Sequence, residues 1–279
     1  MASRRETVAE GRRARTAGLA SLSVAAALCL AALGVVAAGA SVRGAATPLL
    51  PNLVTRPIVD VHIQKAVGTK LLRFSTIVGN RGPGPAELFP DVPDTSDCDS
   101  DGDPDNDRIA SQRIFNDSND NGIFERGVDT AASTQVIGCF IFHPEHNHWH
   151  FEEFERYELR RIKSGKVLAS SEKVSFCLLD TGTFGDILGT PSSPHYGPCN
   201  EDVTMGLSVG WSDIYQSNLF GQELDVRGLP AGRYCLAMAA DPGGRVEETN
   251  ETDNGRSTVV QIAGPTATDL DRRCPGESR

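Results

Sequence analysis

FEEFERYELRRI, residues 151–162, alternates roughly by two, with Phe151, Phe154 and Tyr157 set against charged neighbours. Side chains of a strand point to opposite faces in turn, so such a run reads as a half-buried β-strand. Similar short runs lie on both sides of it. IVDVHIQ (58–64) and KLLRFSTIV (70–78) precede it, the second ended by Gly79, Gly82, Pro83 and Gly84. KVLASSEKVSFCL (166–178), residues 222–226, GRYCLAMAA (232–240) and STVVQI (257–262) follow it. Turn residues separate these runs, and no segment keeps a helical period. The expectation is a mainly β chain: one antiparallel β-sandwich-like domain with long loops over 45–265, an acidic insertion at 91–133 and a disordered tail at 266–279.

The 279 residues carry a formal net charge of −10, with 39% apolar and 23% charged residues. That balance suits a globular chain rather than a disordered one and argues against a nucleic-acid partner. The charge is uneven. Residues 87–129 alone hold thirteen acids against three Arg.

Residues 1–44 have the opposite character. Arg4, Arg5, Arg12, Arg13 and Arg15 form a basic head, and 17–40 runs without charge into AGA-S at 38–41. This reads as a cleaved signal peptide or as an uncleaved membrane anchor. Both put the rest of the chain outside the cytoplasm, with the membrane touched only through this segment. Cysteine usage agrees. Setting aside Cys29 leaves Cys98, Cys139, Cys177, Cys199, Cys235 and Cys274, an even number with no CxxC pair, as structural disulfides require.

Within the insertion, Asp97, Asp99, Asp101, Gly102 and Asp105 follow a D-x-D-x-D-G-x-x-D pattern. Asp117, Asn119, Asn121, Gly122 and Glu125 repeat the theme. Alternate oxygens on a loop sharpened by Gly suit Ca²⁺. The alternative is a solvated acidic loop. Position twelve is Arg108 in one loop and Val128 in the other, so neither is an EF-hand.

Four of the six histidines fall within eight residues, as His143-Pro-Glu-His146-Asn-His148-Trp-His150. On a strand, residues i, i+2 and i+4 share a face, with the outer two about 13 Å apart at Cα, so a metal common to all three requires a bend. Imidazole serves Cu, Zn, Fe and Ni alike.

HNHWHFEEFERYELR (146–160) together with EKVSFCLLDT (172–181) resembles the lysyl oxidase family, in its bacterial, secreted form. GLSVGWSDIYQSNLFGQELDVRGLPAGRY (206–234) is similar to the family's segment carrying the cofactor tyrosine, and VEETNETDN (246–254) to its terminal turn. The likeness is weaker over 51–90 and fails over 91–135. It implies copper at His146, His148 and His150, and a lysine tyrosylquinone formed from Lys173 and Tyr215. It also implies O₂-dependent oxidation of primary amines or peptidyl lysine to aldehydes, with H₂O₂ and ammonia released. His143 and Asp213 are both candidates for the catalytic base. Glu145 stands where vertebrate members have a Cys, so disulfide bracing must differ. The competing reading is a non-catalytic extracellular metal-binding β-sandwich module for adhesion or interaction. A zinc hydrolase is disfavoured, because no acid follows the histidines at a zincin spacing.

Six cysteines permit fifteen pairings. The expected set is Cys177–Cys199, which would hold the loop after the Lys173 strand near the Tyr215 segment, with Cys98–Cys139 and Cys235–Cys274.

Overall fold

Two antiparallel sheets make up the computed structural model, which describes residues 47–90, 97–98, 100, 102, 104–144, 147–171, 174–199 and 204–276. The expected export segment at 1–44 lies outside the described residues. The larger sheet runs Met205–Leu207, Ala86–Pro90, Asp107–Asn116, Thr130–His143, His148–Arg161, Gly232–Ala240, Gly255–Ala263, Thr266–Asp269 in spatial order. In the smaller sheet, Thr69–Asn80 pairs with Leu53–Thr55, Val59–Ala66, Trp211–Tyr215 and Glu223–Asp225. The mainly β, antiparallel expectation holds.

The central strand His148–Arg161 explains both the alternation in its sequence and the break in it. Phe151 and Phe154 are three residues apart, yet both are buried. Glu153 between them adopts φ 54°, and pairing with Val174–Phe176 shifts register there, with Val174 opposite Glu155 and Phe176 opposite Phe151. Such a bulge resets which face each side chain meets. Phe154 then packs against Phe176, and Tyr157 meets Phe74 of the smaller sheet edge-on at 4.9 Å. The second contact joins the two sheets through a core that also holds Leu72, Leu159, Leu224 and Leu236. Replacing one such fully buried aromatic by Ala costs roughly 3–5 kcal/mol.

A polar group is sealed inside this core. The Tyr157 hydroxyl donates to Glu155 and accepts from Gln222 Nε2 at 2.6 Å. Thr76 Oγ1 lies 3.1 Å from the same hydroxyl and 3.3 Å from Glu155 Oε2. Burial pushes the Glu155 carboxyl up to about 7, against which its hydrogen bonds with Tyr157 and Thr76 work only in part. A second buried acid, Glu248, is also raised to about 7 by burial. It accepts from the Leu53 amide and from Asn254.

All three expected disulfides are present: Cys98–Cys139, Cys177–Cys199 and Cys235–Cys274. Two expectations change. The span 91–133, read as an insertion, contains the strand Asp107–Asn116, a full member of the large sheet. The tail is not disordered through its described residues. Thr266–Asp269 adds to the sheet edge, Leu270 N donates to Val259 O, and Cys274 is buried in its disulfide.

Candidate active site

The site begins at a hairpin. Thr130–His143 pairs with His148–Arg161 so that Phe142 faces Trp149 and His143 faces His148. Asn147, at φ 56°, closes the turn by donating its amide to His143 O at 2.8 Å. This turn folds His143 back beside the rings of His148 and His150. His148 and His150 share a face, with ring centroids 4.8 Å apart, and His143 lies 4.3 Å from His150. His146, expected as a ligand, lies outside the described residues.

Two Nε2 atoms, of His148 and His150, stand 2.8 Å apart. Metal–imidazole bonds of about 2.0–2.1 Å meeting at a right angle would separate their nitrogens by about 2.9 Å, so the pair fits two neighbouring positions of a tetragonal ion. Ser175, on the adjoining strand Val174–Phe176, places its hydroxyl 3.1 Å from His150 Nδ1 and 3.3 Å from His143 Nε2. Sequence reasoning passed over this serine. Its one signal is its place in KVSFC, two residues beyond Lys173. Lys173 itself lies outside the described residues.

The smaller sheet supplies the opposite wall. Trp211–Tyr215 pairs with Thr69–Asn80, setting Tyr215 opposite Thr76 and Asp213 opposite Val78. The segment after the disulfide half Cys177 is stitched to this strand. Thr181 N donates to Ser212 O, and Ile214 N donates to Thr181 Oγ1. Tyr215 donates its hydroxyl to Cys177 O at 3.0 Å and meets the Phe176 ring edge-on at 4.0 Å. Trp149 N donates to Cys199 O, so the far end of the Cys177–Cys199 loop is tied to the histidine strand.

Between these walls lies a cavity of about 460 Å³. His143, His148, His150 and Ser175 line one side of it, Asp213 and Tyr215 the other, and Leu179, Ile214 and Leu219 make it apolar. Phe220, 80% exposed, stands on its lining. Burial, and then the charge of Glu155, pushes the Asp213 carboxyl well above the usual range, offset in part by the amides of Leu179 and Ile214. One carboxyl oxygen of Asp213, Oδ2, is buried without a hydrogen-bond partner among the described residues. The Tyr215 phenol is likewise pushed up, by burial first and then by Asp213 and Glu155. The cavity thus holds a neutral phenol and a carboxyl poised to keep a proton.

Among the described loop residues, none of Asp97, Asp105, Asp117, Asn119, Asn121 and Glu125 lines this cavity. Gly102 N donates to Asp97 Oδ2, while Asp105 sits in a short 3₁₀ turn. Asp99 and Asp101 lie outside the described residues. Asp117 accepts from the amides of Gly122, Asn121 and Asn119, which hold its carboxyl below the usual range. The side-chain amides of Asn119 and Asn121 both donate to Glu125.

A family model described as lysyl oxidase matches residues 118–269, more than half of the chain. Lysyl oxidase homolog 2 of Bos taurus is 32% identical over 117 residues, covering 42% of this chain and 14% of that protein. The Homo sapiens homolog 2 is 31% identical over the same length. Lysyl oxidase homolog 1 of Homo sapiens is 33% identical over 115 residues, covering 40% of this chain and 19% of that protein. The chain spans less than a fifth of the length of these relatives.

Proposed function

Because the chain belongs to the lysyl oxidase family, we propose that it is a copper-dependent amine oxidase acting outside the cytoplasm. Its substrates would be peptidyl lysine or small primary amines. The overall reaction converts amine, O₂ and water to aldehyde, ammonia and H₂O₂. The observation that carries the reading is one cavity lined by His148, His150, Asp213 and Tyr215. Three disulfides and the basic-then-apolar start of the chain support the location.

His148 and His150, with His146, would hold the copper. Tyr215 and Lys173 would be the residues of the lysine tyrosylquinone, which would supply the electron sink that ordinary side chains lack. The chain's own residues do the rest. Cys177 O and the Phe176 ring fix the tyrosine, the first by a hydrogen bond and the second by packing. Asp213 offers its unpartnered oxygen to the substrate nitrogen or to the proton leaving its α-carbon. Its raised affinity for a proton suits a base that must keep what it removes. Leu179, Ile214 and Leu219 exclude water from that exchange. His143 is the alternative base. The loops at Asp97–Asp105 and Asp117–Glu125 are proposed to bind Ca²⁺ for structure alone.

The test is copper-loaded protein treated with phenylhydrazine. A visible adduct band and a peptide joining Lys173 to Tyr215 are expected. Lys173→Met and Tyr215→Phe should each abolish amine-dependent H₂O₂ release while copper stays bound. Full activity in Tyr215→Phe would overturn the reading.

A further inference from the structure

We infer that Ser175 is a positioning residue that holds the ring hydrogen of His150 on Nδ1 by accepting it, with His143 bracing the serine. The inference rests on the metal-binding reading above.

A serine hydroxyl has one proton to donate and lone pairs to accept with. Here it stands between two ring nitrogens, His150 Nδ1 at 3.1 Å and His143 Nε2 at 3.3 Å. Three arrangements satisfy both contacts, because the hydroxyl has two lone pairs: in one of them it accepts from both rings, from His150 Nδ1–H and from His143 Nε2–H. In the first of the other two, the hydroxyl accepts from His150 Nδ1–H and donates to His143 Nε2. In the second, it donates to His150 Nδ1 and accepts from His143 Nε2–H. The second puts the His150 proton on Nε2, the atom that faces His148 Nε2 at 2.8 Å, and so removes the lone pair an ion needs. The first, like the arrangement in which the serine accepts twice, keeps that lone pair on Nε2, facing His148. In both of these arrangements His143 Nε2 is engaged by the serine, as acceptor in the one and as donor in the other, so His143 braces the serine and does not coordinate through that nitrogen. A partner on the far ring nitrogen is how metal-bound imidazoles are commonly oriented.

The strand geometry makes this contact specific. Between Phe176, opposite Phe151, and Val174, opposite Glu155, the short strand advances two residues while the histidine strand advances four. Ser175 sits within that irregular stretch, next to the end of the strand where His150 lies. A residue displaced by one along either strand would turn its side chain to the other face.

The experiment uses the full exported chain, purified free of metal. Copper(II) affinity and the electron paramagnetic resonance spectrum are read for wild type, Ser175→Ala, Ser175→Thr and His143→Gln. Loss of an orienting partner is worth about 10–100-fold in metal affinity. Ser175→Ala should therefore bind copper at least about tenfold more weakly and with altered nitrogen hyperfine structure. Ser175→Thr keeps the hydroxyl on a strand-compatible side chain and should restore both. His143→Gln, which keeps an acceptor near the serine, should hold copper within about tenfold of wild type. Wild-type affinity and an unchanged spectrum in Ser175→Ala would overturn the inference. So would a loss of copper in His143→Gln as deep as in His148→Ala, which would make His143 a ligand. A second measurement needs neither a variant nor a metal: long-range ¹H–¹⁵N spectra of the metal-free protein should show His150 protonated at Nδ1. Protonation at Nε2 would refute the inference. Wild-type protein that binds no copper at all would overturn the proposed function instead, with the tautomer of His150 still judging Ser175.

Discussion

Glu155→Gln should make the protein's stability less sensitive to pH. Glu155 is fully enclosed with Tyr157, Thr76 and Gln222, and its carboxyl is raised from 4.5 to about 7. Its folded pKa lies above its unfolded one, so its contribution is fully present below about pH 4.5 and is lost as pH rises through about 7. A rise of about 2.5 pH units, at about 1.4 kcal/mol each, makes that loss roughly 3 kcal/mol by pH 8.5. Against a usual net stability of about 5–15 kcal/mol this is a large share. Glutamine keeps the size and one acceptor oxygen but cannot ionise, so the variant lacks this slope. The assay is urea unfolding with disulfides intact, followed by fluorescence of the buried Trp149 and Trp211, from pH 5 to 8.5. The wild-type midpoint should fall by about 1 M more than the variant's across that range. Glu248 is raised in the same direction but lies in a separate group of hydrogen bonds, so it contributes equally to both proteins. Parallel midpoint curves for wild type and variant would refute the placement of a charge-averse carboxyl in this core.

His148→Ala should remove most bound copper by metal analysis after dialysis against a weak chelator, and full occupancy would place the site elsewhere. Opening Cys235–Cys274 with paired serines removes a link across 39 residues of sequence and should cost about 4 kcal/mol on the chain-entropy estimate. That loss is read as a lower unfolding midpoint, and an unchanged midpoint would mean the pairing does not constrain the unfolded chain. Protease cleavage between residues 95 and 130 should slow when Ca²⁺ is added, because a bound cation would offset repulsion among the loop carboxylates. Equal rates with calcium and with chelator would favour a solvated loop.

The strands legible in the sequence were those closed off by turn residues, even where burial is continuous, as over Tyr234–Met238. Gly232–Ala240 and Thr69–Asn80 were found because Gly and Pro bracket them. Asp107–Asn116 was not, for two reasons. It follows a run of aspartates, and Ala110, Ser111 and Gln112 are buried in succession, which erases a two-residue period. Thr130–His143 was hidden differently: its first residues are exposed on both sides, and burial starts only near Ile137. The histidine cluster was visible as spacing alone. Ser175 and Glu155 were not, because a serine and a glutamate on strands are ordinary until contacts of high sequence separation define them. Ser175 meets His143 across 32 residues, and Glu155 meets Thr76 across 79.

The hairpin of His143 and His148 has a bearing on the order in which the protein is built. Those two residues pair across a turn of four residues, so closing it costs little chain entropy and needs no distant partner. The tyrosine side differs: Tyr215 reaches Cys177 across 38 residues, and its strand pairs with Thr69–Asn80 from the other end of the chain. If the histidines hold copper as proposed, two of its ligands, His148 and His150, would stand on a short local segment before the sheets close. The phenol comes to the cavity only when both sheets have closed. Under the proposed function, oxidative chemistry on Tyr215 would then be deferred until the ring is walled from solvent, and incompletely folded copies would hold the ion without the aromatic ring it acts upon.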